Sequence, residues 1–125
     1  FFAMKDGSCV AFFEVPSFPP MQKDPNTPEW VQHLALQVES REELLERKKL
    51  LENAGVEVIG PTNHGFCESI YFFDPSGHRT ELTFHIGDDA MMAKLKSTAP
   101  KMLEKWNQTK KIQHDAAWVH DSSAR

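Results

Sequence analysis

The chain has 125 residues, 40% of them hydrophobic and 26% charged, a balance typical of one folded globular domain and not of a disordered chain. Its formal net charge of -4 at pH 7 leaves no basic surplus to neutralise phosphates, which argues against nucleic-acid binding. The apolar runs are too short to cross a bilayer, and two cysteines without C-x-x-C spacing argue against a disulfide framework, so we expect a cytoplasmic protein.

The first 29 residues predict a hairpin and a linker. Two apolar runs, at residues 1–4 and 10–15, are separated by a turn that contains an Asp-Gly pair, which is a strong hairpin signal. Residues 16–29 contain five prolines, which are incompatible with a helix or a central strand. We therefore expect a hairpin over residues 1–15 and a linker over 16–29.

Residues 30–87 predict one unit with the order strand, helix and three strands. A strand over residues 31–38 is followed by Ser40 and Glu43, which form a capping box for a helix over 41–53. The leucines at positions 44, 45, 50 and 51 predict the buried stripe of that helix, and Gly55 suits its C-terminal cap. The later strands are predicted over residues 56–59, 69–73 and 79–85, with a turn over 74–77.

The last third of the chain predicts helices followed by a tail. Asp88 suits the start of a helix that continues to about Lys96, and Pro100 suits the first turn of a second helix. We expect residues 88–112 to form this helical segment. Residues 113–125 predict a poorly ordered tail.

Three side chains within the predicted strands are chemically unusual for their positions. Glu81 lies between apolar neighbours and shares a strand face with Arg79, although carboxylates are depleted in strands. Glu81 is either a metal ligand or an exposed carboxylate paired with Arg79 or a lysine. His33 is either a ligand or a hydrogen-bonded core residue, and Glu14 is a third candidate of the same kind.

Several segments together resemble the vicinal oxygen chelate superfamily, which includes glyoxalase I, fosfomycin-resistance proteins, extradiol ring-cleaving dioxygenases and bleomycin-resistance proteins. These segments are HLAL at residues 33–36, LENAGV at 51–56, SIYFFDPSGH at 69–78 and EL at 81–82. The resemblance covers about residues 30–87. It implies an α+β fold, in which a βαβββ module with a curved mixed sheet follows the hairpin end of a preceding module and precedes the C-terminal helices.

The resemblance also implies a set of metal ligands. In this family two modules enclose a metal, and the ligands come from the first and fourth strands of each module. His33 and Glu81 match the ligands of the second module, and Glu14 matches the fourth strand of the first module. The first-strand ligand of that first module has no counterpart here. We expect a second copy of the chain, in a homodimer, or a longer parent chain to complete the site.

An imidazole with one or two carboxylates suits Fe(II), Mn(II), Ni(II) or Zn(II). The implied function is that of a metal-dependent enzyme acting on a small molecule with vicinal oxygens, either a ring-cleaving dioxygenase or a glyoxalase-like lyase. A second histidine ligand would favour oxygen chemistry, and a working carboxylate at Glu14 would favour proton transfer. The alternative is a metal-free binding protein of the bleomycin-resistance type.

Glu14, His64 and Tyr71 are the candidate catalytic residues. His64 precedes the aromatic strand in a His-Gly pair, as in dioxygenase-like members whose histidine lies near the substrate, or it belongs to a surface loop. Tyr71 is the only tyrosine of the chain. It either faces the cavity as a proton donor or packs within the sheet.

Overall fold

A computed structural model describes residues 1–20 and 22–120, so Met21 of the predicted linker and the last five residues of the predicted tail lie outside the described residues. In chain order the elements are β1 (Phe2–Ala3), β2 (Cys9–Val10), β3 (His33–Gln37), α1 (Arg41–Asn53), β4 (Ile59–Asn63), β5 (Cys67–Phe73), β6 (Arg79–His85), α2 (Asp89–Thr109) and a 3₁₀ helix (Ala117–His120). Helix α1 and strand β6 have the predicted bounds.

A four-stranded mixed sheet organises the chain. Its strand order is β3-β6-β5-β4, in which β3 runs parallel to β6 and the other neighbours are antiparallel. Strands β1 and β2 form a separate antiparallel hairpin. The described residues of the proline-rich segment 16–29 contain turns but neither helix nor strand. The predicted α+β architecture, with its βαβββ order, is confirmed.

Helix α1 covers one face of the sheet. The Ser40 side chain accepts a hydrogen bond from the Glu43 backbone N–H at 3.1 Å, which satisfies one of the unpaired donors of the first turn. Gly55, with φ of 80°, follows the last turn in the left-handed conformation that glycine adopts without strain. The core between helix and sheet consists of Val38, Leu44 and Ile70, with Leu51, Val58, Leu82 and Phe84 packed against it.

The predicted leucine stripe of α1 is wrong in part. Leu44 is fully buried and Leu51 packs against the core, whereas Leu45 is 38% exposed and Leu50 is 60% exposed. Leu44 and Leu51 are seven residues apart and lie almost directly above one another on the helix. Each of the other two leucines is offset from this line by about 100°. The apolar core of the sheet therefore packs against the narrow line of α1 that contains Leu44 and Leu51.

Strand β4 occupies Ile59–Asn63, so the predicted strand over residues 56–59 is displaced toward the C-terminus. Gly60 and Pro61 follow the predicted strand but lie inside the observed one, joined by a cis peptide bond. Proline is tolerated here because β4 is an edge strand, where one side of the backbone needs no sheet partner. Gly60 is required because a Cβ at this position would lie 2.6 Å from the Ser69 carbonyl oxygen.

Two predictions for the C-terminal third are also wrong. Helix α2 continues through Pro100 without a break, and the Thr98 hydroxyl donates to the Lys94 carbonyl at 2.8 Å in the turn before the proline. Residues 117–120 form a 3₁₀ helix in which Val119 is buried, so this part of the predicted tail packs on the domain. A Cβ on Gly65 would lie 2.4 Å from the Val119 carbonyl oxygen.

None of the helices in the described ranges is long and apolar enough to cross a membrane.

The burial pattern of α1 makes a stability prediction. Leu44→Ala removes a fully buried side chain from the core and should lower the free energy of unfolding by about 2–5 kcal/mol. Leu50→Ala on the same helix is the matched control and should change it by about 0.5 kcal/mol or less, since that side chain is largely exposed. Urea unfolding followed by circular dichroism measures both values. Equal losses for the two variants would contradict the packing described.

Candidate active site

The pairing of β3 with β6 brings His33 to Glu81. In the parallel register Ala35 lies opposite Glu81 and His33 lies opposite Arg79, so the imidazole reaches diagonally across the two strands. The His33 Nε2 and Glu81 Oε2 atoms are 2.8 Å apart. The side chain of Glu81 is 9% exposed and that of His33 is 31% exposed. The partner of Glu81 is therefore His33, and neither Arg79 nor a lysine forms an ion pair with it in the described part of the chain.

These two donors fit part of a divalent metal site. One imidazole nitrogen and one carboxylate oxygen at this separation belong to the N/O ligand class that first-row divalent ions prefer. No group of three His, Cys, Asp or Glu side chains that could hold a metal occurs among residues 1–20 and 22–120. Glu14 is exposed and follows β2 outside any strand. Its role as a third ligand or as a catalytic carboxylate stays a prediction.

Tyr71 and His64 form a second pair beside the first. Tyr71 is buried on β5 directly opposite Glu81, and its ring centroid lies 6.1 Å from that of His33. The Tyr71 hydroxyl and His64 Nε2 form a hydrogen bond of 2.7 Å, whose direction depends on the tautomer of the imidazole. Four of the five candidate residues therefore lie in one continuous group on the sheet face opposite α1.

The surroundings of Tyr71 favour its neutral form. Burial raises the pKa of the phenol above its ordinary value of 10.0, and the negative charge of Glu81 raises it further. At neutral pH the hydroxyl is therefore protonated and able to donate a hydrogen bond.

Two further features of this face were not predicted. The guanidinium carbon of Arg79 lies 4.5 Å from the centroid of the Tyr71 ring, a cation–π contact. Ser69 is fully buried and its hydroxyl donates to Thr83 Oγ1 at 3.0 Å. The alternation along β6 already placed Arg79 on the face of Glu81, but only the pairing of β5 with β6 shows that Arg79 contacts the tyrosine.

Arg79 lines two cavities that also contain other residues of the candidate site. One cavity of about 590 Å³ is lined by His33 and Arg79 on the sheet and by residues 10–13 of the N-terminal segment. Another of about 260 Å³ is lined by Tyr71 and Arg79. A small molecule in the larger cavity can therefore contact His33 and Arg79 together.

Comparison with known families agrees with this geometry. The family model described as the Glyoxalase/Bleomycin resistance protein/Dioxygenase superfamily matches residues 1–82. This range exceeds half of the 125 residues and includes Glu14, His33, His64, Tyr71 and Glu81. The chain belongs to this superfamily, which is the vicinal oxygen chelate superfamily that its motifs resemble.

Solved structures are similar to parts of the chain. An integron cassette protein, HFX_CASS4, from the mobile metagenome of the Halifax Harbour sewage outfall is 44% identical over 42% of this chain and 47% of its own, with a TM-score of 0.40. The fosfomycin resistance protein FosX from Listeria monocytogenes is 32% identical over 56% of this chain and 57% of its own, also at 0.40. FosX complexed with Mn(II) and sulfate ion is 33% identical, over 62% and 59%, with a TM-score of 0.40. The chain spans about half the length of these proteins, and its family assignment rests on the family model.

Because Tyr71 is the only tyrosine, its ionisation can be followed directly by phenolate absorbance in EDTA-treated protein. The folded chain should titrate above pH 10.0, and Glu81→Gln should lower the midpoint while burial keeps it above 10.0. The unfolded phenol ionises first, so the stability contributed by Tyr71 is present below pH 10 and is lost as the pH rises through the folded pKa.

Glu42→Gln, on the exposed surface of α1, is the control for this titration and should leave the midpoint unchanged. Circular dichroism at each pH identifies the range in which the chain stays folded. A midpoint at or below 10.0 within that range would contradict the burial of the hydroxyl.

Proposed function

We propose that this protein is a divalent-metal-dependent enzyme of the ring-cleaving dioxygenase type, which acts on a small molecule with two neighbouring oxygens. The observation that carries the proposal is the contact between two pairs of residues. His33 and Glu81 supply metal donors, and Tyr71 and His64 supply an acid–base pair against them. Membership of the superfamily supports a reaction of this class.

The first pair would hold the metal. His33 contributes a nitrogen from the edge strand β3, and Glu81 contributes a carboxylate oxygen from β6. When bound, a divalent ion at this position supplies Lewis-acid chemistry and a template for the two substrate oxygens. Glu81 is the more buried partner, so the surrounding sheet limits the positions that its carboxylate can occupy.

The second pair would move protons. The Tyr71 hydroxyl lies on the strand next to Glu81 and carries a proton at neutral pH. His64 Nε2, at 2.7 Å from that hydroxyl, either accepts this proton or holds the hydroxyl in position, depending on its own protonation. Positioned proton transfer of this kind typically contributes about 100- to 10,000-fold to a rate.

The position of Glu14 supports one of the two reaction types that the sequence left open. A glyoxalase-like lyase of this family would use a second carboxylate at this position for proton transfer. Glu14 is exposed and does not join His33 and Glu81 in a group of three. The Tyr71–His64 pair is the acid–base group that lies next to the proposed metal donors, which favours the dioxygenase type.

We also propose that the site is completed by chain outside this segment. Residues 1–15 would be the end of a first module, and residues 30–87 the second. Helix α1 covers the other face of the sheet, so it does not cover the face that carries His33 and Glu81. Leu34 on β3 and Trp30 just before β3 are exposed. A second copy of the chain would supply the missing wall and the remaining ligand.

The metal proposal is tested by titrating metal-free protein with Mn(II) and measuring free Mn(II) by electron paramagnetic resonance. The wild-type chain should bind one ion, and His33→Ala should weaken binding more than about tenfold because a donor is lost. His114 is exposed and lies in the C-terminal segment after α2, so His114→Ala is the control and should bind Mn(II) as the wild type does. Unchanged binding in His33→Ala would reject His33 as a ligand.

The catalytic proposal is tested by oxygen consumption with catechol as the probe, using protein loaded with Fe(II). Tyr71→Phe should lower kcat by about 100-fold or more with little change in KM, because it removes a proton donor and leaves the donors to the metal intact. His114→Ala should keep the wild-type kcat. If the Fe(II)-loaded wild-type protein binds catechol and consumes no oxygen, the ring-cleaving activity is rejected.

A further inference from the structure

Arg79 is a cation in the candidate site that belongs to neither the His33–Glu81 pair nor the Tyr71–His64 pair. It is the first residue of β6, lies opposite His33 in the register of the sheet, and shares a face with Glu81. Its guanidinium carbon is 4.5 Å from the centroid of the Tyr71 ring. Stacking on an aromatic ring orients a guanidinium while leaving the N–H groups at its edge available to an acceptor.

One hydrogen-bond donor of Arg79 has no partner within the described chain. Its Nε atom is buried without a hydrogen-bond partner. No ion pair joins Arg79 to a carboxylate among the residues that the structure describes. Glu29 and Glu57 line the 260 Å³ cavity with Arg79, but Glu29 binds Lys23 Nζ at 3.0 Å. Nε itself is closed to solvent, so an acceptor from a ligand would reach the other N–H groups of the guanidinium, where Arg79 lines the cavities.

The cavities connect Arg79 to both halves of the site. Arg79 lines the 590 Å³ cavity together with His33 and the 260 Å³ cavity together with Tyr71. It also lines a third cavity of about 320 Å³, together with Lys23 and His78. A ligand that contacts His33 within the 590 Å³ cavity therefore also meets Arg79.

We propose that Arg79 binds a carboxylate of the substrate, so that the enzyme selects vicinal-oxygen compounds that carry an acidic group. This inference rests on the proposed function, since it places the rest of the substrate at the proposed metal donors. The planar guanidinium presents paired N–H groups that match the two oxygens of a carboxylate. Arg79 is thus a specificity-determining residue, distinct from the acid–base pair.

The test compares three probes by isothermal titration calorimetry with Mn(II)-loaded protein: catechol, 3,4-dihydroxybenzoate and benzoate. Wild-type protein should bind 3,4-dihydroxybenzoate about tenfold or more tightly than catechol. This is the gain in affinity that a hydrogen bond between charged groups typically contributes. Arg79→Gln should abolish this preference, so that the two diols bind with about equal affinity. Arg79→Lys, which keeps the charge and loses the planar pair of donors, should retain a smaller preference.

Arg47→Gln is the matched control, because Arg47 pairs with Glu43 on the surface of α1, and it should keep the full preference. Equal affinity for the two diols in the wild type, or a preference that survives in Arg79→Gln, would overturn the proposal. If Arg79→Gln fails to fold by circular dichroism, Arg79→Lys decides, and an undiminished preference in it would overturn the paired-donor geometry.

Benzoate separates the failure of this inference from the failure of the proposed function. If neither diol binds, the vicinal-oxygen function is rejected. Benzoate binding that is then lost in Arg79→Gln would still support the carboxylate site. Benzoate binding that is absent, or unaffected by Arg79→Gln, would reject that site.

Discussion

The pairing of β3 with β6 is the interaction on which the candidate site depends. These strands are parallel neighbours, although 41 residues of chain separate Gln37 from Arg79, and helix α1 with two further strands occupies that interval. The pairing places an imidazole from an edge strand against a carboxylate from an inner strand, with 2.8 Å between their polar atoms. A parallel neighbour requires a crossover connection, so α1 is the element that makes this contact possible.

The two faces of the sheet divide structural and chemical roles. On one face, Leu82 and Ile70 pack beneath Leu44 of α1 and supply the apolar burial that holds the sheet together. On the other face, Glu81 and Tyr71 lie opposite one another on adjacent strands. The alternation of side chains along a strand causes this division, because neighbouring residues of β5 and β6 point to opposite faces. The buried face thereby fixes the separation of the polar groups that the other face carries.

Local sequence signals predicted much of the fold. Three of these signals act through nearby backbone atoms: the capping box at Ser40, the glycine after α1 and the turn before β6. The bounds that they set for α1 and β6 were predicted correctly. Two of the errors concern prolines: Pro61 was placed after the predicted strand, and Pro100 was expected to start a second helix. Pro61 lies in an edge strand and Pro100 inside α2. Whether a missing N–H is costly depends on what surrounds the backbone, which a local signal does not contain.

By itself, the sequence determined which residues of the candidate site have suitable chemistry and which strand face each belongs to. The period of two along a strand placed Glu81 and Arg79 on one face, and the family motifs drew attention to His33 and His64. Only the tertiary structure decided which of these groups touch. His33 pairs with Glu81, His64 binds Tyr71, and Arg79 stacks on the same tyrosine while Glu14 lies apart from the group. The physical reason is that register between strands distant in the chain arises from packing of the whole sheet against α1, which no single segment encodes.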